Sequence, residues 1–100
     1  MEISEKIVGE VIQLSVSGNV DSISSSELQQ HILTSFQKKK NIVIDFSNVR
    51  YMSSAGLRAL LLGQKTAMSK GGTLKLIHVQ ESVMSVFNPA GFDKLLNIEL

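Results

Sequence analysis

The sequence predicts an α/β fold, a mixed β-sheet with helices packed on it, in the order β-β-α-β-α-β-α. Three patterns carry this prediction. Residues 11–17 alternate between apolar and polar side chains, which is the period of a half-buried strand. Residues 41–46 form a short apolar run rich in β-branched residues, typical of a central strand buried on both faces. Residues 54–70 repeat their apolar side chains at about 100° per residue, which predicts an amphipathic helix.

Length and composition predict one domain and exclude several classes of function. The 100 residues, 43% of them hydrophobic, predict a single domain over residues 1–100. Ten basic and nine acidic residues nearly cancel, so we expect no direct nucleic-acid partner. Without cysteine, and with two histidines far apart, the chain is expected to bind no metal or cofactor. No apolar run reaches the roughly 20 residues of a membrane span and the N-terminus is too charged for a signal peptide, so we expect a cytoplasmic protein without membrane insertion.

The chain is expected to begin with a β-hairpin. Ile3 to Val8 forms the first strand, Gly9 and Glu10 form a tight turn, and residues 11–17 form the second strand. Residues 18–21 follow as a loop that leads into the first helix.

The first helix is predicted to open at Ser24. Ser24 and Glu27 fit a capping box, and Ile23 and Leu28 fit the hydrophobic staple that accompanies such a box. Three lysines at residues 38–40 close the helix, where positive charge suits the C-terminal dipole. The apolar face of this helix comprises Leu28, Ile32 and Phe36.

After the apolar strand, the second helix is predicted over residues 54–70, with Gly71 and Gly72 at its end. A strand over residues 73–79 and a short helix over residues 81–88 follow, and residues 95–100 add either a last strand or a docking tail. The apolar stripe of the second helix comprises Leu57, Leu60, Leu61, Ala67 and Met68. The core is expected to include Ile42, Val43, Ile44, Leu57, Leu61 and Leu76.

The segment between the apolar strand and the second helix carries the most chemical information. Ser53 and Ser54 are adjacent hydroxyls at a helix N-terminus, and two interpretations are open. In the first, a serine caps the helix by accepting a hydrogen bond from an unpaired N–H. In the second, a serine is phosphorylated, because the N–H donors and dipole of a helix N-terminus favour a phosphoryl group. Arg58, one turn beyond Ser54, would pair with the phosphate, and Gly56 would let another backbone approach.

The same segment argues against an enzyme. It lacks the G-x-S-x-G pattern of a nucleophile elbow, and the chain lacks a Walker phosphate loop. Neither His31 nor His78 is spaced to act as a base for Ser54. We therefore expect no catalytic residue.

Residues 51–58, Tyr-Met-Ser-Ser-Ala-Gly-Leu-Arg, resemble the phosphorylation motif of the bacterial anti-sigma factor antagonists, which form part of the STAS-domain family. In this family the motif follows a strand that ends in Asp, an apolar residue and Ser, and residues 45–47 match that end. Residues 14–21 resemble the second strand and following loop of the family, and residues 90–96 resemble its C-terminal segment. The likeness extends over the whole chain and implies the STAS fold.

The resemblance implies a protein that switches partners. Unphosphorylated members bind an anti-sigma factor, usually also a serine kinase of the GHKL type, and so release a sigma factor. Phosphorylation of the motif serine ends this binding, and a PP2C-type phosphatase restores it. By the motif, the acceptor is Ser54. Ser53 stands where many members carry Asp and is the second choice.

The resemblance also implies a partner-binding surface at one end of the sheet. This surface combines the loop at residues 18–21 with the start of the second helix, because both follow strands expected to be parallel neighbours. Asp21 matches an acid associated with kinase binding, although it is equally suited to cap the first helix. The expected members of the surface are Gly18, Asp21, Ser53, Ser54, Gly56, Arg58 and Leu62. An alternative function within the same fold is that of an accessory subunit of a lipid or anion transporter.

Overall fold

The computed structural model describes residues 1–91 and 94–99, apart from the side chain of Ala90. In chain order the elements are β1 (Glu2–Val8), β2 (Val11–Ser17), α1 (Ser24–Lys38), β3 (Asn41–Asn48), α2 (Ser54–Ser69), β4 (Thr73–Ile77), α3 (Glu81–Phe87), a 3₁₀ turn (Asn88–Ala90) and β5 (Asn97–Glu99). The order predicted from the sequence is confirmed, and residues 97–99 form a last strand. Phe92, Asp93 and Leu100, which belong to the predicted C-terminal segments, lie outside the described residues.

The five strands form one mixed sheet in the order β1-β2-β3-β4-β5. Only β1 and β2 are antiparallel, whereas the other neighbouring strands run parallel to each other. The predicted hairpin is confirmed, and Gly9 at φ 60° supplies the left-handed residue of its turn. Because β2 and β3 are parallel neighbours, the loops that follow them open at the same end of the sheet.

The core lies on one face of the sheet, where the strand register aligns buried side chains in rows. In one row Ile12 is paired with Ile42, and Ile42 with Leu74. α1 and α2 cover this face, since a Cβ at Gly63 of α2 would lie 3.0 Å from both Ile32 of α1 and Leu74 of β4. Of the predicted core residues, the buried ones are Ile42, Ile44, Leu57 and Leu76.

Two predictions about the core are wrong. Val43 alternates with the buried residues of β3 and is only half-buried, so β3 is covered on one face and not on both. On α2, Leu61 is half-buried and Met68 is 71% exposed, because the buried stripe of this helix passes through Gly63. The small residue at that point lets α1 approach closely, which rotates Leu61 and Met68 toward the edge of the contact.

The start of α1 also differs from the prediction. The residue before the helix, Ile23, makes no side-chain capping bond and is 86% exposed, so the hydrophobic staple is absent. Asp21 caps the helix in place of Ser24, because its Oδ1 accepts hydrogen bonds from the backbone N–H groups of Ile23 at 3.0 Å and Ser24 at 2.8 Å. The predicted apolar face of α1 is confirmed as buried, and comprises Leu28, Ile32 and Phe36.

The elements after α2 are shorter than predicted. β4 ends at Ile77, because the next residue, His78, adopts a left-handed backbone with φ 55°. α3 ends at Phe87 and continues as the 3₁₀ turn, which stops at Gly91 with φ 73°.

Truncation of two adjacent leucines on α2 tests the corrected stripe. We expect Leu60→Ala to lower the free energy of unfolding by about 2–5 kcal/mol, because this side chain is fully buried. Leu61→Ala is expected to cost clearly less, since Leu61 lies at the edge of the core. Urea unfolding of both variants measures the difference, and equal costs would contradict the placement of the stripe.

Candidate functional site

Two loops meet at one end of the sheet, one after β2 and one after β3. The N–H of Val20 donates to the carbonyl of Tyr51 at 3.0 Å, and the N–H of Ser53 donates to the carbonyl of Val20 at 2.8 Å. These bonds form a short parallel bridge between Val20 and Met52, both of which are buried. The loop at residues 18–21 and the start of α2 therefore lie side by side, as the sequence predicts.

The first turn of α2 packs against this bridge because residue 56 is glycine. A Cβ at Gly56 would lie 2.8 Å from Cγ1 of Val20 and 3.0 Å from Cγ of Met52. Gly56 is itself buried, so the close approach that it permits is internal. The expectation that Gly56 contacts a partner is therefore corrected. Gly56 instead lets the first turn of α2 pack against Val20 and Met52.

The structure gives the two adjacent serines different positions. Ser53 is the N-cap residue of α2, is half-buried, and its Oγ accepts a hydrogen bond from the N–H of Gly56 at 3.2 Å. Ser54 is the first residue of the helix, and its side chain is exposed. The capping interpretation is therefore confirmed for Ser53, while Ser54 presents its hydroxyl at the surface.

Asp21 is engaged by its own loop. Besides capping α1, its Oδ1 accepts a hydrogen bond from Oγ of Ser24 at 3.0 Å. Hydrogen bonds from the backbone and side chain of Ser24 hold the pKa of the Asp21 carboxyl below its usual value. The capping role is thus confirmed for this residue, and a contact with a kinase stays a prediction.

The remaining predicted members of the surface are accessible. Gly18 is exposed and adopts φ 95° at the start of the loop. Ser54, Arg58 and Leu62 follow one another at intervals of four residues along α2, so they share one side of the helix. All three side chains are exposed, Leu62 to 36%.

Two apolar residues at this end of the sheet were not predicted as part of the site. Tyr51, on the loop after β3, is 51% exposed, and Ile23 follows the loop after β2. The sequence pattern places Ile23 in a hydrophobic staple, because Ser24 and Glu27 fit a capping box. The signal that could have found it is Asp21, because an aspartate side chain readily accepts hydrogen bonds from the N–H groups two and three residues later and so places the cap before Ile23.

Gln80, which precedes α3, and Ser82, in the first turn of α3, hold the end of β3 and the loop that follows it. Nε2 of Gln80 donates to the carbonyl of Ser47 at 3.1 Å, and Oγ of Ser82 donates to the carbonyl of Arg50 at 2.8 Å. Both bonds fix backbone that leads into Ser53 and Ser54. Sequence analysis missed them, because side-chain bonds to distant carbonyls leave no local pattern.

An Asp–His pair supports the end of β3. Oδ1 of Asp45 accepts a hydrogen bond from the N–H of Ser47 at 2.9 Å and lies 3.2 Å from Nδ1 of His78. Partial burial alone would raise the pKa of the Asp45 carboxyl, but the hydrogen bonds from Ser47 and His78 outweigh it and lower the pKa below its usual value. The ionised carboxylate therefore stabilises the folded state.

Among residues 1–91 and 94–99, no three His, Asp or Glu side chains are placed to hold a metal ion. None of the helices within these ranges combines the length and the apolar character that a membrane span requires.

Comparison with known proteins identifies the family. A family model described as "Mlab, STAS domain" matches residues 3–97. The chain belongs to the STAS-domain family.

Two curated relatives of this STAS chain are similar over most of their length. The chain is 33% identical over 89 residues to "Putative anti-sigma factor antagonist BtrV" of Bordetella bronchiseptica, covering 88% of this chain and 76% of the relative. It is 26% identical over 87 residues to the "Anti-sigma-B factor antagonist" of Bacillus subtilis, covering 87% of this chain and 80% of the relative.

Solved structures confirm the STAS fold. The anti-sigma factor antagonist SpoIIAA in its unphosphorylated form superposes with a TM-score of 0.82 at 17% identity, covering 97% of this chain and 87% of SpoIIAA. The phosphorylated form of SpoIIAA from Bacillus superposes with a TM-score of 0.75 at 17% identity, covering 97% of this chain and 90% of that SpoIIAA chain. The sheet and helices of this STAS chain thus follow an architecture seen in both forms.

Gly56→Ala tests the contact beneath the site. At an exposed helical position this change would stabilise a protein by roughly 0.5–1 kcal/mol. Here we expect it to destabilise the protein by about 1–3 kcal/mol, because the new methyl group displaces Val20 and Met52. Thermal unfolding gives the sign, and a stabilised variant would contradict the packing.

Acid unfolding tests the role of Asp45. Because its pKa is lower in the folded than in the unfolded state, its contribution is present above the unfolded pKa of about 3.9 and is lost as pH falls through the folded value. We expect Asp45→Asn to flatten the decline in stability in that acidic range, measured by urea unfolding at several pH values. Glu2→Gln, which changes an exposed carboxyl on β1, should leave the decline as in the parent.

Proposed function

We propose that this STAS protein is an anti-sigma factor antagonist and that phosphorylation of Ser54 switches off its binding to the anti-sigma factor. The names of both curated relatives support the first part of the proposal. The existence of SpoIIAA in a phosphorylated form supports the second. The choice of residue depends on the different positions of the two serines. The hydroxyl oxygen of Ser53 accepts the capping hydrogen bond of α2, whereas the side chain of Ser54 is exposed.

The transfer requires a kinase that supplies the catalytic groups. Oγ of Ser54 attacks the γ-phosphorus of ATP, the new O–P bond forms as the bond to the β-phosphate oxygen breaks, and ADP leaves. The hydroxyl proton passes to a base on the kinase. We propose that the anti-sigma factor is itself this kinase, of the GHKL type, and that a PP2C-type phosphatase returns the serine by hydrolysis. The chain acts here as a substrate and binding partner in the cytoplasm, and not as an enzyme.

The fold is suited to carry the phosphate. A negative group at the first residue of a helix gains about 0.3–1 kcal/mol from the helix dipole. Arg58 lies one turn further on the same side of α2 and brings a positive charge to the phosphate. The cost of modification therefore falls on the interface with the partner, where the part of the phosphate charge that Arg58 does not balance would be buried without a counter-charge, at a cost of about 2–5 kcal/mol of binding free energy.

Serine replacement combined with phosphosite mapping tests this proposal. Anti-sigma factor kinases encoded in the genome of the source organism are purified and incubated one by one with the chain and ATP. We expect transfer to the parent and to Ser53→Ala, and none to Ser54→Ala, with the site mapped by mass spectrometry. We also expect Ser54→Asp to reproduce part of the effect of the phosphate and to weaken binding to the kinase by up to about thirty-fold. Its melting temperature should not fall.

Two outcomes would contradict the proposal in different ways. Transfer that survives Ser54→Ala and is lost in Ser53→Ala would move the acceptor one residue back. Absence of transfer and of binding with every kinase, each shown to be active on another substrate, would favour the alternative of a transporter subunit.

A further inference from the structure

A groove of about 490 Å³ lies between α2 and the segment that precedes β5. Its apolar lining consists of Leu61, Met68 and Leu95, and its polar lining consists of Gln64 and Lys65. Leu61 is half-buried, whereas Met68 is 71% exposed and Leu95 is 58% exposed. The fold therefore leaves a concave, largely apolar surface here, with a volume in the range of known ligand sites.

Gln64 brings an unsatisfied hydrogen-bond acceptor to this groove. Its Oε1 is shielded from solvent and accepts no hydrogen bond from the residues that the structure describes. Burying a carbonyl oxygen without a donor is unfavourable. The terminal torsion of a glutamine side chain turns with little hindrance, so the amide oxygen can meet an N–H or O–H group that enters the groove. A ligand that carries such a donor is therefore favoured over one that lacks it.

The charge of the lining narrows the choice of ligand. Among the five described residues that line the groove, only Lys65 is charged, and it is exposed, so an anionic group beside an apolar one is complementary to this surface. Tryptophan combines a large apolar ring with one N–H donor and no acceptor. An acyl chain would also fill an apolar groove, but it carries no donor for Gln64. The lining thus fits a tryptophan next to a carboxylate better than it fits a lipid.

We propose that this groove binds a tryptophan side chain of a partner protein, with an acidic residue of the same segment paired to Lys65. The indole N–H donates to Oε1 of Gln64, and the ring packs against the three apolar side chains of the lining. Lys65 lies on the same helix as Ser54 but about 16 Å further along its axis. The groove is therefore a second surface, and this inference does not depend on the proposed function.

Tryptophan fluorescence tests the groove, because the chain itself contains no tryptophan. The probe is the capped tripeptide acetyl-Glu-Trp-Glu-amide, titrated with the parent, with Met68→Ser and with Ile7→Ser. We expect the parent to shift the peptide emission to shorter wavelength and to bind with a Kd of roughly 1 mM or below. Met68→Ser should weaken binding by roughly ten-fold. Ile7→Ser, which changes a side chain that is 53% exposed on β1, should bind as the parent does.

A second peptide tests the hydrogen bond to Gln64. In acetyl-Glu-naphthylalanine-Glu-amide a fluorescent apolar ring replaces the indole and removes the N–H donor. We expect the parent to bind this peptide about two- to ten-fold more weakly than the tryptophan peptide. Gln64→Met keeps the length of the side chain and removes the acceptor, so it should abolish the preference. Absence of a saturable shift with the tryptophan peptide, or a preference that Gln64→Met leaves unchanged, would overturn the proposal.

Charge removal tests the acidic neighbour. We expect Lys65→Gln to weaken binding of the tryptophan peptide by about two- to five-fold and to reduce its dependence on salt. The matched control is Lys6→Gln on β1, which should change neither. Equal affinities of Lys65→Gln and the parent would overturn the pairing with a carboxylate.

Other occupants of the groove give different results. Laurate that binds the parent but not Met68→Ser in calorimetry, with no binding of the tripeptide, would assign an acyl chain and overturn the proposal. A parent that sediments as a dimer, with Met68→Ser as a monomer, would assign the groove to a second copy and overturn it as well. Ser54→Ala should bind the tripeptide as the parent does, and Gln64→Met should still accept phosphate on Ser54. Failure at the groove therefore leaves the proposed function intact, and the reverse also holds.

Discussion

The contact between Val20 and the first turn of α2 fixes the geometry of the candidate site. The backbone N–H and carbonyl of Val20 pair with Tyr51 and Ser53, and its side chain fills the space above Gly56. The loop after β2 therefore cannot shift without moving the N-terminus of α2. A phosphate on Ser54 and a partner contact on the neighbouring loop would act on one rigid unit, so their coupling needs no rearrangement of the fold.

The period of the strands could be predicted from the sequence, but the covered face could not. Alternation along β2 identifies Ile12 and Leu14 as buried, because the opposite face of that strand is polar after Val11. On β3 the apolar residue Val43 interrupts this signal, and its half-exposed position depends on where the helices pack. The same limit applies to α2, where the close approach at Gly63 decides which side of the helix is buried.

The candidate site could be located from the sequence, although the roles within it could not. Adjacent serines at a helix N-terminus are both suited to capping, and a difference of one residue in the helix start decides which of them caps. Ser24 and Asp21 are both suited to cap α1, and the fold uses Asp21, which accepts from the N–H groups of Ile23 and Ser24. The supports from Gln80 and Ser82 join residues that lie 33 and 32 positions apart, so their pairing emerges only from the folded chain.

The order of the strands has a consequence for how the protein is made. Each strand of the sheet pairs with the strand that precedes it in the chain, so no strand has to be inserted between two that have already paired. The sheet can grow from its N-terminal edge as the chain leaves the ribosome. The bridge between Val20 and Met52 joins two early segments, and it can close before β4 and β5 have been synthesised. A nascent chain would thus form the bridge beneath the candidate site first, and Gln80 and Ser82 would fix the loop after β3 only when the last third of the chain has followed.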